Sequence, residues 1–174
     1  GDVIDRGTEG IKTLRWIMRQ PNFELILGNH EDMMLGCDFI LDEITEESIA
    51  KLTGLQFDYY LNWISNGGQQ TLNELFLLRR EEIKYIFEFL EDAPLYAAVT
   101  AGDRDFILTH SGIGSFDKNR RLSEYSPHDL LWTRPSLETE YFKDITTVFG
   151  HTPTLFYGDE YTGRAVFTDT WIDI

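Results

Sequence analysis

The sequence predicts an α/β fold in which polar loops follow strands. Two observations support this prediction. The first half of the chain places apolar residues at helical spacing, most clearly over 81–90, where they share one face. After Pro94 the pattern changes to short runs rich in β-branched and aromatic residues, which is typical of strands.

The first half is predicted to begin with an amphipathic helix over 8–20, which Pro21 ends. Residues 23–27 are predicted to form a short strand that leads directly into Gly28-Asn29-His30. In open α/β sheets, ligand-bearing loops follow strands in this way at the carboxyl edge.

Residues 31 to about 91 are predicted to be mainly helical. Asn66-Gly67-Gly68 interrupts this segment, a further helix is predicted over 69–78, and the clearest helix covers 81–90. The segment contains no chemical motif. We interpret it as a helical insert, forming a cap or a layer, within a single domain that spans residues 1–174.

The second half is predicted to contain strands over 95–100 and 105–109, joined by a turn at 101–104. A further strand is predicted over 144–149, and one or two closing strands over 164–174. His110 and His151 come just past two of these strands.

The composition disfavours several kinds of partner. Thirty acidic against fifteen basic residues give a formal charge of −15, which disfavours nucleic acid and anionic membranes as partners. Cys37 has no second cysteine with which to form a disulfide or a thiolate metal site. We therefore expect a buried structural thiol in a reducing, cytoplasmic setting.

Four short blocks carry the candidate chemistry, and they hold three of the four histidines. They are Gly1-Asp-Val-Ile-Asp-Arg-Gly7, Gly28-Asn-His-Glu-Asp32, Thr109-His-Ser-Gly112 and Gly150-His-Thr-Pro153. The candidate metal ligands are Asp2, Asn29, His110 and His151. They supply a carboxylate, an amide oxygen and two imidazoles, which together suit Mn²⁺, Fe or Zn²⁺. Each residue alone could equally be a turn or surface residue, but four in Gly-flanked loops favour a metal site.

His30 follows Asn29, so its side chain can face the same cleft without binding metal. Held by a carboxylate such as Asp5, it could protonate a leaving alkoxide. Arg6 has the planar donor geometry that matches phosphate oxygens. An ion pair between Asp5 and Arg6 within a turn is an equally good interpretation of that pair. These groups together predict metal-assisted phosphoester hydrolysis.

The ordered motifs Gly-Asp-x-x-Asp-Arg-Gly, Gly-Asn-His-Glu, a lone His and Gly-His-Thr resemble those of the phosphoprotein phosphatase family. That family includes bacterial and phage serine/threonine phosphatases and the symmetrical diadenosine tetraphosphatases. The resemblance covers nearly the whole chain. It implies a calcineurin-like metallophosphoesterase sandwich, with two mixed β-sheets flanked by helices.

The resemblance also implies a role for each matching residue. Asp2 matches a carboxylate that bridges two metal ions, and Asn29, His110 and His151 match the other ligands of the second ion. His30 matches the general acid and Asp5 the carboxylate that orients it. The two phosphate-binding arginines are matched by Arg6 and by Arg134 in Leu131-Trp-Thr-Arg134. His128 matches nothing, and we expect it to be solvated.

The family's first motif, Gly-Asp-x-His-Gly, does not occur in these 174 residues. We therefore expect the N-terminal βαβ portion to be missing, together with the ligands of the first metal. The longer natural chain, with about 50 more N-terminal residues, is expected to bind two divalent ions, Mn²⁺ before Fe or Zn²⁺. The 174 residues alone, with one complete ligand set, are expected to be poorly active.

Three functions remain open at this point. The first is a bacterial-type serine/threonine protein phosphatase or small-phosphoester hydrolase, in which metal-activated water attacks phosphorus. The second is a symmetrical diadenosine tetraphosphatase with the same site. The third is a degenerate domain that binds a phosphorylated partner without hydrolysing it, although retention of His30 and Asp5 disfavours this. The oligomeric state is not predicted.

Overall fold

The computed structural model describes residues 1–42 and 45–174. Glu43 and Ile44, which fall within the predicted helical segment, lie outside the described residues. Two compact units are distinguished: the first comprises 1–25 and 29–93, and the second comprises 26–28 and 94–174. None of the described helices is long and apolar enough to cross a membrane.

The first unit is helical. Its helices are α1 (Gly10–Ile17), α2 (Asn29–Leu35), α3 (Glu46–Ala50), α4 (Gly54–Trp63), α5 (Gln69–Leu75) and α6 (Arg80–Glu91), with a 3₁₀ turn at Asp38–Leu41. The helices predicted over 8–20, 69–78 and 81–90 are confirmed as α1, α5 and α6. Their apolar faces are buried, as at Leu14 and Leu90.

The backbone amides at the amino end of α1 donate to a side chain from a distant part of the first unit. The backbone amides of Gly10 and Ile11 donate to the Glu74 carboxylate at 3.0 and 3.1 Å. These first-turn amides have no intrahelical acceptor, and a carboxylate there also complements the helix dipole. Glu74 therefore fixes α1 against α5.

A π-helical turn at Ile64–Gly68 separates α4 from α5 and confirms the predicted break. Gly67 adopts φ of +109°, a conformation that side chains rarely tolerate. A Cβ on Gly68 would lie 2.6 Å from the Trp63 indole ring. The Gly-Gly pair thus lets the backbone turn tightly past a buried tryptophan.

The strand predicted over 23–27 is wrong, because these residues form no strand. The Leu27 amide donates to the Pro94 carbonyl at 2.9 Å, a single backbone contact within the second unit. A strand requires a ladder of such hydrogen bonds with a neighbouring strand, and an apolar run alone does not supply one.

The second unit is built on one five-stranded mixed sheet. Its strands are β1 (Tyr96–Ala101), β2 (Arg104–Thr109), β3 (Ile145–Phe149), β4 (Val166–Phe167) and β5 (Trp171–Asp173), in the spatial order β1-β2-β3-β5-β4. β2, β3 and β5 run parallel, whereas β1 and β4 pair antiparallel at the edges. The predicted strands over 95–100, 105–109, 144–149 and 164–174 are confirmed, as is the α/β class.

The remaining described helices of the second unit are α7 (Pro127–Leu131) and 3₁₀ turns at Leu122–Glu124, Thr154–Tyr157 and Asp159–Tyr161. Aromatic residues dominate the core of this unit. Phe149 and Trp171, both almost fully buried, pack against each other in a tilted arrangement with ring centroids 5.3 Å apart. This packing anchors β3 and β5, so the loop that follows β3 starts from a rigid element.

Candidate active site

A buried carboxylate–imidazole pair lies in the first unit. Oδ2 of Asp5 is 2.7 Å from Nδ1 of His30, and the two residues are only 3% and 2% exposed. His30 is the second residue of α2, so the helix holds its backbone in place. Asp5 has φ of +75°. The predicted contact between these two residues is present, and the Asp5 carboxylate contacts Nδ1, the ring nitrogen nearer the backbone.

The Asp5 carboxylate has further donors that sequence reasoning missed. Nε1 of Trp63 lies 3.0 Å from each carboxylate oxygen, and Oγ1 of Thr71 lies 2.7 Å from Oδ1. The carboxylate is thus engaged by His30, Trp63 and Thr71 rather than by its neighbour Arg6, whose side chain is exposed. The sequence signal that could have found these donors is that Trp63 and Thr71, each with a hydrogen-bond donor in its side chain, stand on either side of Gly67-Gly68.

Asp2 is held in place by Glu31, another residue that was not singled out. The fully buried Glu31 carboxylate accepts hydrogen bonds from the Asp2 and Val3 amides, both at 2.7 Å. Oδ1 of Asp2 in turn accepts from the His30 amide at 3.3 Å. This amide lies in the first turn of α2, where no intrahelical acceptor exists.

The pKa of the Asp2 carboxyl lies above its ordinary value. Desolvation is the largest cause, the nearby His30 acts in the opposite direction, and the negative charge of Glu31 raises the pKa further. A cation bound at this carboxylate would favour its ionised form. Asn29, the remaining metal-ligand candidate of this unit, is buried at the start of α2.

The two histidine ligand candidates of the second unit lie side by side. His110 directly follows β2, and His151 follows β3 after one glycine. Because β2 and β3 are parallel neighbours, their carboxyl ends lie at the same edge of the sheet. Nε2 of His110 is 3.1 Å from Nδ1 of His151. The Gly150 amide also donates to the His110 carbonyl at 3.1 Å, which ties the two loops together.

Arg134 is exposed, and its guanidinium lies 5.5 Å from the centre of the Phe156 ring. Phe156 belongs to the 3₁₀ turn at Thr154–Tyr157, which begins three residues after His151. The two arginine candidates, Arg6 and Arg134, are therefore both accessible within their own units.

Two further expectations are confirmed. His128 is exposed near the start of α7. Cys37 is fully buried, and burial raises the pKa of its thiol to about 11. A thiol with this pKa remains protonated at neutral pH and is a poor nucleophile.

Asp173 is a buried acid that no sequence pattern indicated. Tyr157 donates its hydroxyl to Oδ2 of Asp173 at 3.0 Å, whereas the buried Oδ1 has no hydrogen-bond partner. Burial raises the pKa of the Asp173 carboxyl to about 6, and the hydrogen bond from Tyr157 offsets only part of this rise.

In the first unit, a histidine held by a buried carboxylate is suited to proton transfer. In the second unit, two neighbouring imidazoles are suitable ligands for a divalent metal ion. The chain belongs to the calcineurin-like phosphoesterase family, whose model matches residues 1–172. This family hydrolyses phosphoesters with the help of divalent metal ions. The comparison with curated proteins found no match.

Proposed function

We propose that this protein is a phosphomonoesterase of the bacterial serine/threonine protein phosphatase type, acting on phosphoproteins or small phosphoesters. The observation that supports the proposal most strongly is the buried contact of 2.7 Å between Asp5 and His30. A histidine held in this way is suited to proton transfer, whereas a module that only binds phosphate has no use for it.

We propose that one divalent ion is bound by Asp2, Asn29, His110 and His151, with Mn²⁺ the first candidate. The chemistry of the donors fits such an ion, because they combine carboxylate and amide oxygens with imidazole nitrogens. The histidine pair fits as well. Nε2 of His110 and Nδ1 of His151 lie 3.1 Å apart, so both residues would be able to hold the same ion.

The resemblance to phosphoprotein phosphatases supports a second divalent ion, which Asp2 would also help to hold. When bound, the divalent ions supply Lewis-acid activation of the attacking water and of the phosphoryl group. In the proposed reaction the P–O bond to water forms and the P–O bond to the leaving group breaks. Arg6 and Arg134 bind the phosphoryl oxygens, through donor geometry that matches them.

His30 then transfers a proton from Nε2 to the leaving oxygen. Asp5 accepts the hydrogen on Nδ1, which fixes the ring orientation and stabilises the protonated imidazole before transfer. After transfer the ring is neutral and keeps its proton on Nδ1.

We further propose a cytoplasmic setting, supported by the single buried Cys37. Nucleic acid and membranes are disfavoured as partners by the charge of −15. The same site could hydrolyse diadenosine tetraphosphate, so that compound belongs in the first substrate panel.

The test is hydrolysis by the full-length protein with Mn²⁺ of a phosphoserine peptide, 4-nitrophenyl phosphate and diadenosine tetraphosphate. We expect turnover of both monoesters and its loss with a chelator. His30→Ala should reduce kcat on the phosphoserine peptide by about 10²–10⁴-fold, and less on the aryl ester, whose leaving group needs little protonation. His128→Ala, at an exposed histidine, is the control.

Three results would count against the proposal. Undiminished activity of His30→Ala on the peptide contradicts the assigned acid. Preferential cleavage of diadenosine tetraphosphate favours the dinucleotide substrate. Metal-loaded protein that binds phosphopeptide without turnover favours a binding module.

A further inference from the structure

We propose that Trp63 and Thr71 are positioning residues for the reaction, acting on His30 through Asp5. The inference rests on the proposed function, because it concerns how the general acid of that reaction is held. Neither residue belongs to the four motif blocks. Both are fully buried in the first unit and both contact the Asp5 carboxylate.

The contacts engage both oxygens of that carboxylate. Oδ1 accepts from the Thr71 hydroxyl at 2.7 Å, and Oδ2 lies 2.7 Å from the His30 ring nitrogen. The single indole N–H of Trp63 is shared between the two oxygens, 3.0 Å from each. Three groups therefore hold the carboxylate, so it cannot rotate without losing hydrogen bonds.

The direction of the Thr71 contact is determined by its second partner. The Asp5 amide donates to Oγ1 of Thr71 at 2.9 Å, so the hydroxyl accepts there and its own hydrogen points to Oδ1. Thr71 therefore holds both the backbone and the carboxylate of Asp5. This double contact matters because Asp5 has φ of +75°, which is unfavourable for a residue other than glycine.

The Gly67-Gly68 turn makes this arrangement possible. A Cβ on Gly68 would lie 2.6 Å from the Trp63 ring, and one on Gly67 would lie 3.1 Å from the Asp5 carbonyl oxygen. Two adjacent glycines destabilise a helical segment by about 1 kcal/mol each relative to alanine. Helix stability therefore does not explain the turn, whereas close approach of Trp63 and Thr71 to Asp5 does.

The consequence for catalysis concerns orientation rather than substrate binding. A carboxylate that is fixed by Trp63 and Thr71 holds the His30 ring through Nδ1 and leaves Nε2 for the leaving group. Removing either donor frees the carboxylate, so the ring samples unproductive orientations. We therefore expect kcat to fall with little change in KM, and to fall most for substrates whose leaving oxygen must be protonated.

The test compares Thr71→Val, Thr71→Ser and Trp63→Phe in the full-length protein with Mn²⁺. Thr71→Val keeps the volume and removes the hydroxyl, whereas Thr71→Ser keeps the hydroxyl. Trp16→Phe, at a half-exposed tryptophan of the same unit, is the matched control. Each variant is measured with a phosphoserine peptide and with 4-nitrophenyl phosphate, beside its thermal midpoint.

We expect Thr71→Val and Trp63→Phe to lower kcat on the peptide by about tenfold or more. Their effect on the aryl ester should be clearly smaller, and KM should stay near the wild-type value. Thr71→Ser should restore most of the loss, and Trp16→Phe should change neither substrate. Equal loss on both substrates, or full activity of Thr71→Val on the peptide, would overturn the positioning role.

A spectroscopic measurement tests the geometry apart from turnover. In ¹⁵N-labelled protein, the Trp63 indole N–H should exchange slowly with solvent, and Thr71→Val should shift both this resonance and that of the His30 ring. Unshifted resonances would contradict the proposal. Wild-type protein that hydrolyses neither monoester would overturn the proposed function itself, whereas an active wild type without the substrate-dependent split overturns only the positioning role.

Discussion

Replacing Glu31 with glutamine should destabilise the site through the backbone of Asp2 rather than through any contact with substrate. The Glu31 carboxylate is fully buried and accepts from two consecutive amides, those of Asp2 and Val3, at 2.7 Å. Both distances are at the short end for N–H donors, as expected for a charged acceptor.

The size of the effect follows from the atoms exchanged. Glutamine keeps one acceptor oxygen but has an NH₂ group in place of the second. This NH₂ group would face one of the two backbone N–H groups, and neither can accept a hydrogen bond from the other. One charge-assisted hydrogen bond is lost, worth roughly 1.5–3 kcal/mol, and the other becomes neutral and weaker. We expect the free energy of unfolding to fall by about 3 kcal/mol, and Mn²⁺ affinity to fall by roughly 10–100-fold through misplacement of Asp2.

The assay is urea denaturation with and without Mn²⁺, together with calorimetric titration of the metal. Glu24→Gln, at an exposed glutamate of the same unit, is the control and should change neither quantity measurably. If the free energy of unfolding of Glu31→Gln lies within about 0.5 kcal/mol of the wild-type value, the range typical of surface changes, then Glu31 does not hold Asp2 in the way described.

Three further results are expected. Burial raises the pKa of Asp173 from its ordinary 3.8 to about 6 in the folded state. Between these two values the folded protein keeps the proton and the unfolded chain loses it, so stability falls as the pH rises through this range. The loss of stability is at most roughly 3 kcal/mol. Asp173→Asn should reduce the difference in the free energy of unfolding between pH 4 and pH 7, and an unchanged difference would contradict the raised pKa of Asp173. Gly68→Ala should destabilise the folded protein by about 1–3 kcal/mol, because the added methyl group meets the Trp63 ring. Gly54→Ala should be tolerated, because the added Cβ meets nothing within 4 Å. Equal melting temperatures of the two variants would argue against the close approach of Gly68 to Trp63. Mn²⁺ at a hundred times its Kd should stabilise the wild type by about 2.7 kcal/mol, and the shift should vanish in His151→Ala; a retained shift would exclude His151 as a ligand.

Strong local patterns predicted much of the fold correctly. The helix over 81–90 and the hairpin that turns at Gly102 were both recognised within short windows, because side-chain periodicity and turn chemistry are local properties. Residues 23–27 failed for the opposite reason. Their apolar run fits a strand, but a strand depends on a partner, and that partner is not encoded in the run itself.

The candidate site divides in the same way. The contact between Asp5 and His30 was predicted from the motifs, and the placement of two histidines just past strand ends was predicted from the strand pattern. That the two strands are parallel neighbours was not predicted. The partners of Asp5 were not, because Trp63 and Thr71 lie 58 and 66 residues away along the chain. Glu31 stands inside a recognised motif, yet its contact with the Asp2 amide has no signature in the residues around it.

By itself, the sequence determined the α/β class, the family resemblance and the chemical character of the donors. These depend on residue types, their order and short-range periodicity. Only the tertiary structure decided which buried hydrogen-bond donors surround Asp5, which carboxylate holds Asp2, and that Asp173 is a buried acid. Each of those features depends on desolvation and on contacts between distant segments, and both exist only once the chain has folded.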